Sequence, residues 1–199
     1  TPYYHRALEL QYDIADQYLL GYKIRFLGIP AFHAFDEAIE MLYRIQNRSP
    51  GSPLAERAML RTADFYFADR QYDLAGDTYG AFLRTYPRSP QTPRVKLREA
   101  LSLYAQSRGP KFDATPLIDA REHLRTIAVQ YPDLADEENV SALLAQIDHD
   151  LAEKLYLTAD FYRRTHDPRA AVYTYRYLLK SFPASPEAKL AHTALARLP

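Results

Sequence analysis

Several residue types and patterns are scarce or missing in this sequence. None of its 199 residues is cysteine, which excludes disulfide bonds, thiolate metal sites and a nucleophilic cysteine. Only six residues are glycine and none is tryptophan, which argues against a β-rich or low-complexity chain. No apolar run approaches the roughly 20 residues that a membrane-spanning helix needs.

The charges of the chain are balanced. It carries 25 Lys and Arg residues against 25 Asp and Glu residues, so its formal net charge is zero. Because a balanced chain has no field that attracts nucleic acid or an anionic membrane, neither is expected as a partner. Tyrosine is abundant, with 17 copies, and its apolar ring with a polar tip suits helix packing and binding surfaces alike.

One part of the chain is repeated within it. Segment 63–90 returns without a gap as segment 159–186, beginning with Ala-Asp-Phe-Tyr in both places and ending with Pro-x-Ser-Pro. An internal repeat of this size predicts a solenoid of helix pairs, because one pair cannot bury its apolar face alone. Proteins of this kind usually bind other proteins and carry no active site.

Proline marks the boundaries of the repeats. A proline disfavours helical backbone in the residue before it, so helices are expected to end before the four closing prolines, Pro50, Pro87, Pro132 and Pro183. Three Ser-Pro pairs predict helix starts, with Ser as the N-cap and Pro as the first helical residue. These pairs are Ser52-Pro53, Ser89-Pro90 and Ser185-Pro186.

These residues resemble the tetratricopeptide repeat, a helix-turn-helix unit. The small residues of its two helices are similar to Ala15, Ala63 and Ala159 in the first helix, and to Ala38, Ala75, Ala120 and Ala171 in the second. We therefore predict an all-α, right-handed tetratricopeptide solenoid that forms a single domain over residues 1–199. About four helix pairs are expected at residues 4–50, 53–87, 90–132 and 134–183, with a C-terminal capping helix at 186–198.

Three of the predicted repeats are expanded. In the first, Tyr18, Tyr22 and Phe26 share one helical face, which predicts a first helix that continues until Gly28. In the third, residues 107–116 are predicted to form a loop. In the fourth, a long uninterrupted helix is predicted from Glu138 to Arg164, because no proline or glycine lies inside it.

The third and fourth repeats resemble the BamD family of tetratricopeptide lipoproteins, which help to assemble β-barrels in the bacterial outer membrane. The resemblance is clearest over residues 120–188, where a helix ending at Tyr131-Pro132 is followed by a long helix that contains Leu-Ala-Glu-Lys-Leu-Tyr at 151–156. It implies a location on the periplasmic face of the outer membrane. It also implies a lipid anchor on an N-terminal cysteine, which we expect to lie upstream of Thr1.

The same resemblance implies two kinds of protein partner. The C-terminal half would dock on the barrel-insertase subunit, and the N-terminal half would receive unfolded segments of outer-membrane proteins. Two alternatives stay open. One is an envelope tetratricopeptide protein that coordinates cell-wall synthesis and division, and the other is the tetratricopeptide domain of a larger protein such as an enzyme.

Little in the sequence predicts catalysis, so we expect a non-enzymatic scaffold without cofactor or metal. The densest titratable cluster is Asp148-His149-Asp150. Consecutive helical residues diverge by about 100° and cannot converge on a metal, so we interpret this cluster as a solvated face. Gly76 and Gly80 are interpreted as positions where a neighbouring helix packs closely.

The candidate binding site is the inner face of the first helices, which line the concave groove of tetratricopeptide arrays. Overlaying the repeats on that pattern points ten candidate residues inward: Tyr12, Asp16, Leu60, Asp64, Phe67, Tyr104, Tyr156, Asp160, Arg163 and Arg164. Asp16, Asp64 and Asp160 occupy equivalent places. They predict either an acidic stripe for a partner or carboxylates that pair with neighbouring arginines.

Overall fold

The chain is almost entirely helical in the computed structural model, which describes residues 2–21, 23–26 and 29–198. The helices are α1 (Pro2–Leu19), α2 (Phe35–Arg48), α3 (Pro53–Ala68), α4 (Tyr72–Thr85), α5 (Thr92–Gln106), α6 (Thr115–Gln130), α7 (Pro132–Glu137), α8 (Val140–Arg164), α9 (Pro168–Ser181) and α10 (Pro186–Leu195). Two short strands, β1 (Lys23–Phe26) and β2 (Ile29–His33), join α1 to α2. Neighbouring helices pack in pairs, which confirms the predicted tetratricopeptide-like all-α fold.

The helices form two compact units, Thr1–Ser102 and Leu103–Pro199, whose boundary falls within α5. In unit 1, α1 packs on α2, α2 on α3, and α3 on α4. In unit 2, α8 packs on α9, α9 on α10, and α6 on α8. That the two units form one continuous array stays a prediction.

The repeated segments also fold alike. The turn from the first to the second helix of a pair passes through left-handed backbone at Arg70 (φ 62°) in one segment and at His166 (φ 61°) in the other. The second helices end at Tyr86 and Phe182, where ψ is 56° and 57°, outside the helical region. The following proline forces this, as predicted.

Two of the three predicted serine caps are confirmed. The Ser52 side chain accepts a hydrogen bond from the Ala55 backbone N–H at 3.1 Å. Ser185 does the same for Ala188 at 3.2 Å. The third prediction was wrong, because α5 begins at Thr92 and the Ser89 hydroxyl instead donates a hydrogen bond to Glu56 of α3 at 2.5 Å. The same hydroxyl accepts a hydrogen bond from the Gln91 backbone N–H at 3.0 Å, so Ser89 closes a local turn before α5 instead of capping a helix that begins at Pro90.

The predicted extension of the first helix was wrong as well. Helix α1 ends at Leu19, and the backbone turns at Gly21 with φ 95°, a conformation that favours glycine. The chain then forms the antiparallel β1–β2 hairpin, whose strands include Ile24, Phe26, Ile29 and Phe32, residue types that favour strands. Phe26 is therefore in a strand. The other predicted positions, Tyr22 and Gly28, lie outside the described residues.

The expansions of the third and fourth repeats are confirmed. A loop connects α5 to α6, and α8 runs unbroken from Val140 to Arg164. The ammonium group of Lys154 on α8 donates hydrogen bonds to the backbone carbonyls of Pro110, at 3.4 Å, and Phe112. The long helix therefore holds the loop by its backbone. The capping helix α10 ends at Leu195, slightly before the predicted end.

The alanines at the helix crossings give a test of this packing. Ala75 and Ala171 are completely buried, as predicted. We expect Ala171→Leu to lower the free energy of unfolding by about 1–3 kcal/mol, because added methylenes overpack a close-packed core. The control is Ala142→Leu, at an exposed position of α8. Urea denaturation followed by circular dichroism measures both, and equal stability of the two variants would contradict the proposed register.

Candidate protein-binding site

The ten predicted groove residues fall into two sets, one in each unit. Unit 1 contains Tyr12, Asp16, Leu60, Asp64 and Phe67. Unit 2 contains Tyr104, Tyr156, Asp160, Arg163 and Arg164. Each set has its own local structure. That all ten line one groove stays a prediction.

In unit 1, α1 meets α3 through two arginines. The ring of Tyr12 is almost entirely buried in the core and lies beneath the guanidinium group of Arg57, 4.6 Å from the ring centre. Burial raises the pKa of the Tyr12 hydroxyl. Asp16 forms an ion pair with Arg61. Both predicted groove residues of α1 therefore contribute to the contact between successive repeats.

Asp64 lies one repeat further on and has a different partner. Its carboxylate accepts a hydrogen bond of 2.6 Å from the hydroxyl of Tyr79, which is completely buried on α4. Burial, and then the hydrogen bond to Asp64, raise the pKa of Tyr79 well above its ordinary value. Leu60 is half-buried against the core of the same helix pair. This Asp therefore ties the two helices of its own repeat together.

Phe67 is the aromatic part of the unit 1 set. Its half-buried ring packs edge-on against Tyr72, with 5.5 Å between ring centres. The guanidinium group of Arg98 lies above the same ring, 5.4 Å from its centre. An aromatic pair with a cation beside it offers both apolar area and hydrogen-bond donors to a polypeptide.

The set in unit 2 is dominated by charge. Asp160 accepts hydrogen bonds from Arg163 at 2.7 and 3.0 Å and forms an ion pair with Arg164 at 3.0 Å. The side chains of Arg163 and Arg164 are 44% and 63% exposed. The hydrogen bonds to Asp160 raise the pKa of Arg163. Two cations are thus held at the surface by one carboxylate.

The tyrosines of unit 2 are more enclosed. The ring of Tyr156 packs against Tyr175, with 5.8 Å between ring centres. The hydroxyl of Tyr175 is buried and, within the described chain, has no hydrogen-bond partner of good geometry, although Asp160 and Arg163 lie close enough to shift its pKa. Burial, and then the charge of Asp150, raise the pKa of Tyr104.

The three equivalent aspartates are therefore all engaged. Asp16 and Asp160 pair with arginines, and Asp64 accepts from a tyrosine hydroxyl. These contacts favour the second of the two interpretations, in which the carboxylates pair with neighbouring groups, over an acidic stripe that is free for a partner.

The interpretation of Asp148-His149-Asp150 as a solvated face was wrong, because two of its side chains pair with other helices. Asp148 pairs with Arg121 of α6 at 2.5 Å. The Nδ1 atom of His149 lies 3.3 Å from the buried Glu187 of α10. These side chains tie α8 to its neighbours.

Sequence reasoning missed the basic residues that organise these surfaces: Arg57, Arg61, Arg98 and Lys154. Each acts through a contact with a residue far away in the chain or on another helix. A weak signal exists for Arg57 and Arg61, which are four residues apart on α3.

Two features are absent from the described part of the chain. No group of three or more His, Asp or Glu side chains there could hold a metal ion. No helix there is long and apolar enough to cross a membrane.

The equivalent tyrosines Tyr79 and Tyr175 allow a matched test of these contacts. We expect Tyr79→Phe to lower the free energy of unfolding by about 1–3 kcal/mol, because it removes a hydrogen bond to a carboxylate. Tyr175→Phe should change it by less than about 0.5 kcal/mol, because the hydroxyl that it removes has no hydrogen-bond partner of good geometry within the described chain. Chemical denaturation measures both. Equal losses would show that the two repeats use their tyrosines alike.

The pH dependence of stability should also reveal Tyr79. Because folding raises the pKa of Tyr79, its contribution is fully present below the unfolded value of about 10 and is lost as the pH rises above it. Above pH 10, the free energy of unfolding of the natural chain should therefore fall more steeply than that of Tyr79→Phe, by up to about 1.4 kcal/mol per pH unit. Parallel curves between pH 9 and 11.5 would contradict this assignment.

A comparison with known protein families places this chain. No curated protein matches the sequence. The sequence model of the YfiO family, described as outer membrane lipoprotein, matches residues 32–198, which begin in β2 and include every helix after α1. Since this match covers most of the chain and agrees with the helix-pair fold, the chain belongs to the YfiO family, the BamD-like tetratricopeptide family of outer membrane lipoproteins.

Proposed function

We propose that this chain is a non-enzymatic scaffold for β-barrel assembly on the periplasmic face of the outer membrane. Unit 2 docks on the barrel-insertase subunit, and unit 1 receives extended segments of unfolded outer-membrane proteins. Membership of an outer membrane lipoprotein family supports the location and the scaffold role. The specific partners are part of the proposal.

One observation carries the division of labour: the two units present chemically different surfaces at equivalent positions of their repeats. The position that is Phe67 in unit 1 is Arg163 in unit 2, because segment 63–90 returns as segment 159–186. Unit 1 therefore presents an aromatic ring beneath Arg98, and unit 2 presents exposed guanidinium groups. Surfaces of such different chemistry suit different ligands.

The surface of unit 2 suits a folded, acidic partner. Arg163 and Arg164 of α8 are not the only cations of this surface. Helix α9 contains no acidic residue, and it exposes both basic side chains and aromatic rings. These exposed residues are Arg169, Tyr173, Arg176, Tyr177 and Lys180. Arginine and tyrosine are enriched in the centres of protein interfaces, and complementary charge speeds and orients docking.

The surface of unit 1 suits an extended polypeptide. A barrel strand that has not yet folded presents alternating apolar side chains and unpaired backbone groups. The rings of Phe67 and Tyr72 can contact the apolar side chains, and Arg98 can donate hydrogen bonds to the carbonyls.

Charge reversal tests the docking surface. We expect Arg163→Glu with Arg164→Glu to weaken binding to the insertase's periplasmic domains by about 1–3 kcal/mol, through loss of charge-assisted contacts. The matched control is Arg125→Glu with Lys189→Glu, which changes the net charge equally at exposed positions of α6 and α10. Calorimetric titration measures both. Equal weakening by the control would indicate only a general charge effect.

Truncation of Phe67 tests the receiving surface. Phe67→Ala should weaken binding of a barrel-derived peptide by about 2 kcal/mol, as for an aromatic anchor, and should leave insertase docking unchanged. The control is Leu74→Ala, an exposed apolar position of α4. Fluorescence anisotropy with a labelled peptide measures the affinity. If the arginine and phenylalanine variants each impaired both interactions, or if neither ligand bound, the proposal would be overturned.

A further inference from the structure

Helix α1 has apolar side chains on two opposite faces. One face packs in the core of unit 1 through Leu8, Tyr12, Ala15 and Leu19. The other, here called the outer stripe, consists of Tyr3, Ala7, Leu10 and Ile14. Tyr3 is 87% exposed, Leu10 55% and Ile14 47%, and Ala7 is also exposed. The outer face of a surface helix is ordinarily polar, so this stripe needs an explanation.

The spacing of the outer stripe is that of a helix-pairing seam. Its members follow one another at intervals of four, three and four residues, which is the alternation of the a and d positions of a heptad repeat. Such a seam packs against one other helix rather than against a flat surface. The family match begins at residue 32, after α1, and therefore assigns no role to this helix.

The charged residues beside the outer stripe indicate which helix packs against it. One flank already faces α2, where the Tyr4 hydroxyl donates to the Arg48 carbonyl at 3.1 Å. The other flank carries Arg6 and Asp13, and neither forms an ion pair with another residue in the described part of the chain. These two side chains lie seven residues apart, at equivalent positions of successive heptads.

We propose that the outer stripe is the interface of a symmetric dimer, in which α1 pairs antiparallel with α1 of a second copy. In this arrangement Tyr3 packs on Ile14 of the second copy, and the small Ala7 leaves room for Leu10. Arg6 then faces Asp13 of the second copy, and the two-fold symmetry forms this ion pair twice. The same helix in reverse direction thus supplies both the apolar surface and the complementary charges.

The size of the outer stripe determines how tightly the two copies are expected to bind. Two heptads bury less surface than the roughly 1,600 Å² of a standard protein interface, so the dimer should be weak and should dissociate on dilution.

Sedimentation velocity over a range of concentrations tests the proposal on the chain of residues 1–199. We expect a reversible monomer–dimer equilibrium. Leu10→Glu with Ile14→Glu should raise the dissociation constant by roughly a hundredfold, because it places charges in the apolar seam. The control is Val129→Glu with Leu190→Glu, two exposed apolar positions on α6 and α10, and it should dimerise like the natural chain. Circular dichroism confirms that all variants fold.

Charge exchange tests the antiparallel register. Arg6→Asp alone and Asp13→Arg alone should each raise the dissociation constant roughly tenfold, because each creates like-charge pairs. The double variant restores both ion pairs, and an equimolar mixture of the two single variants should form a mixed dimer. A monomer at all concentrations, a dimer insensitive to the Leu10 and Ile14 changes, or no rescue by the double variant would each overturn the proposal.

Discussion

The close approach of paired helices depends on small residues where the helices cross. Ala63 and Ala75 in unit 1, and Ala159 and Ala171 in unit 2, are completely buried at the equivalent positions of their repeats. A larger side chain at such a crossing would push the helices apart and would misplace every residue that they carry. The surfaces of each unit are therefore positioned by residues that have almost no side chain themselves.

The two surfaces differ because two neighbouring positions of the repeat differ: Phe67 and Ala68 in unit 1 are Arg163 and Arg164 in unit 2. In unit 1 the residue three after Asp64 is Phe67, which has no donor, and Asp64 accepts from Tyr79. In unit 2 the residue three after Asp160 is Arg163, which occupies that carboxylate, while the hydroxyl of Tyr175 has no hydrogen-bond partner of good geometry within the described chain. These two exchanges convert an internal tie beside a half-buried ring into a surface cluster of arginines. Because the Ala-Asp-Phe-Tyr backbone frame is unchanged, new binding chemistry arises without a new fold.

Local signals in the sequence predicted most of the backbone. Proline after Tyr86 and Phe182 and the serines before Pro53 and Pro186 act within a few residues, and their effects appear in the structure. The predictions of local structure failed where another interaction or another local structure was also compatible with the sequence. Ser89 accepts from the Gln91 N–H in a local turn and donates to Glu56, and α5 begins later, at Thr92. The β1–β2 hairpin replaced a helix whose apolar spacing also fitted a strand of β-branched and aromatic residues.

The side-chain contacts of the candidate site were less predictable, because they depend on how one repeat is rotated on the next. Asp16 and Arg61 are 45 residues apart, and only the packing of α1 on α3 brings them together. The same rotation buries the ring of Tyr12 beneath Arg57. Overlaying a repeat motif predicts on which side of a helix a residue lies. It does not predict which side chain of the neighbouring repeat contacts that residue.

A weak contact between copies of α1 is compatible with the location that the family indicates. Lipoproteins of the outer membrane are confined to a surface, where anchoring replaces free diffusion in three dimensions and raises the effective concentration of one copy near another. An interface too small to hold two free chains together at low concentration can then form and break readily. A contact of this strength would bring two copies side by side without holding them together permanently, so that its occupancy would follow the local density of the anchored chains.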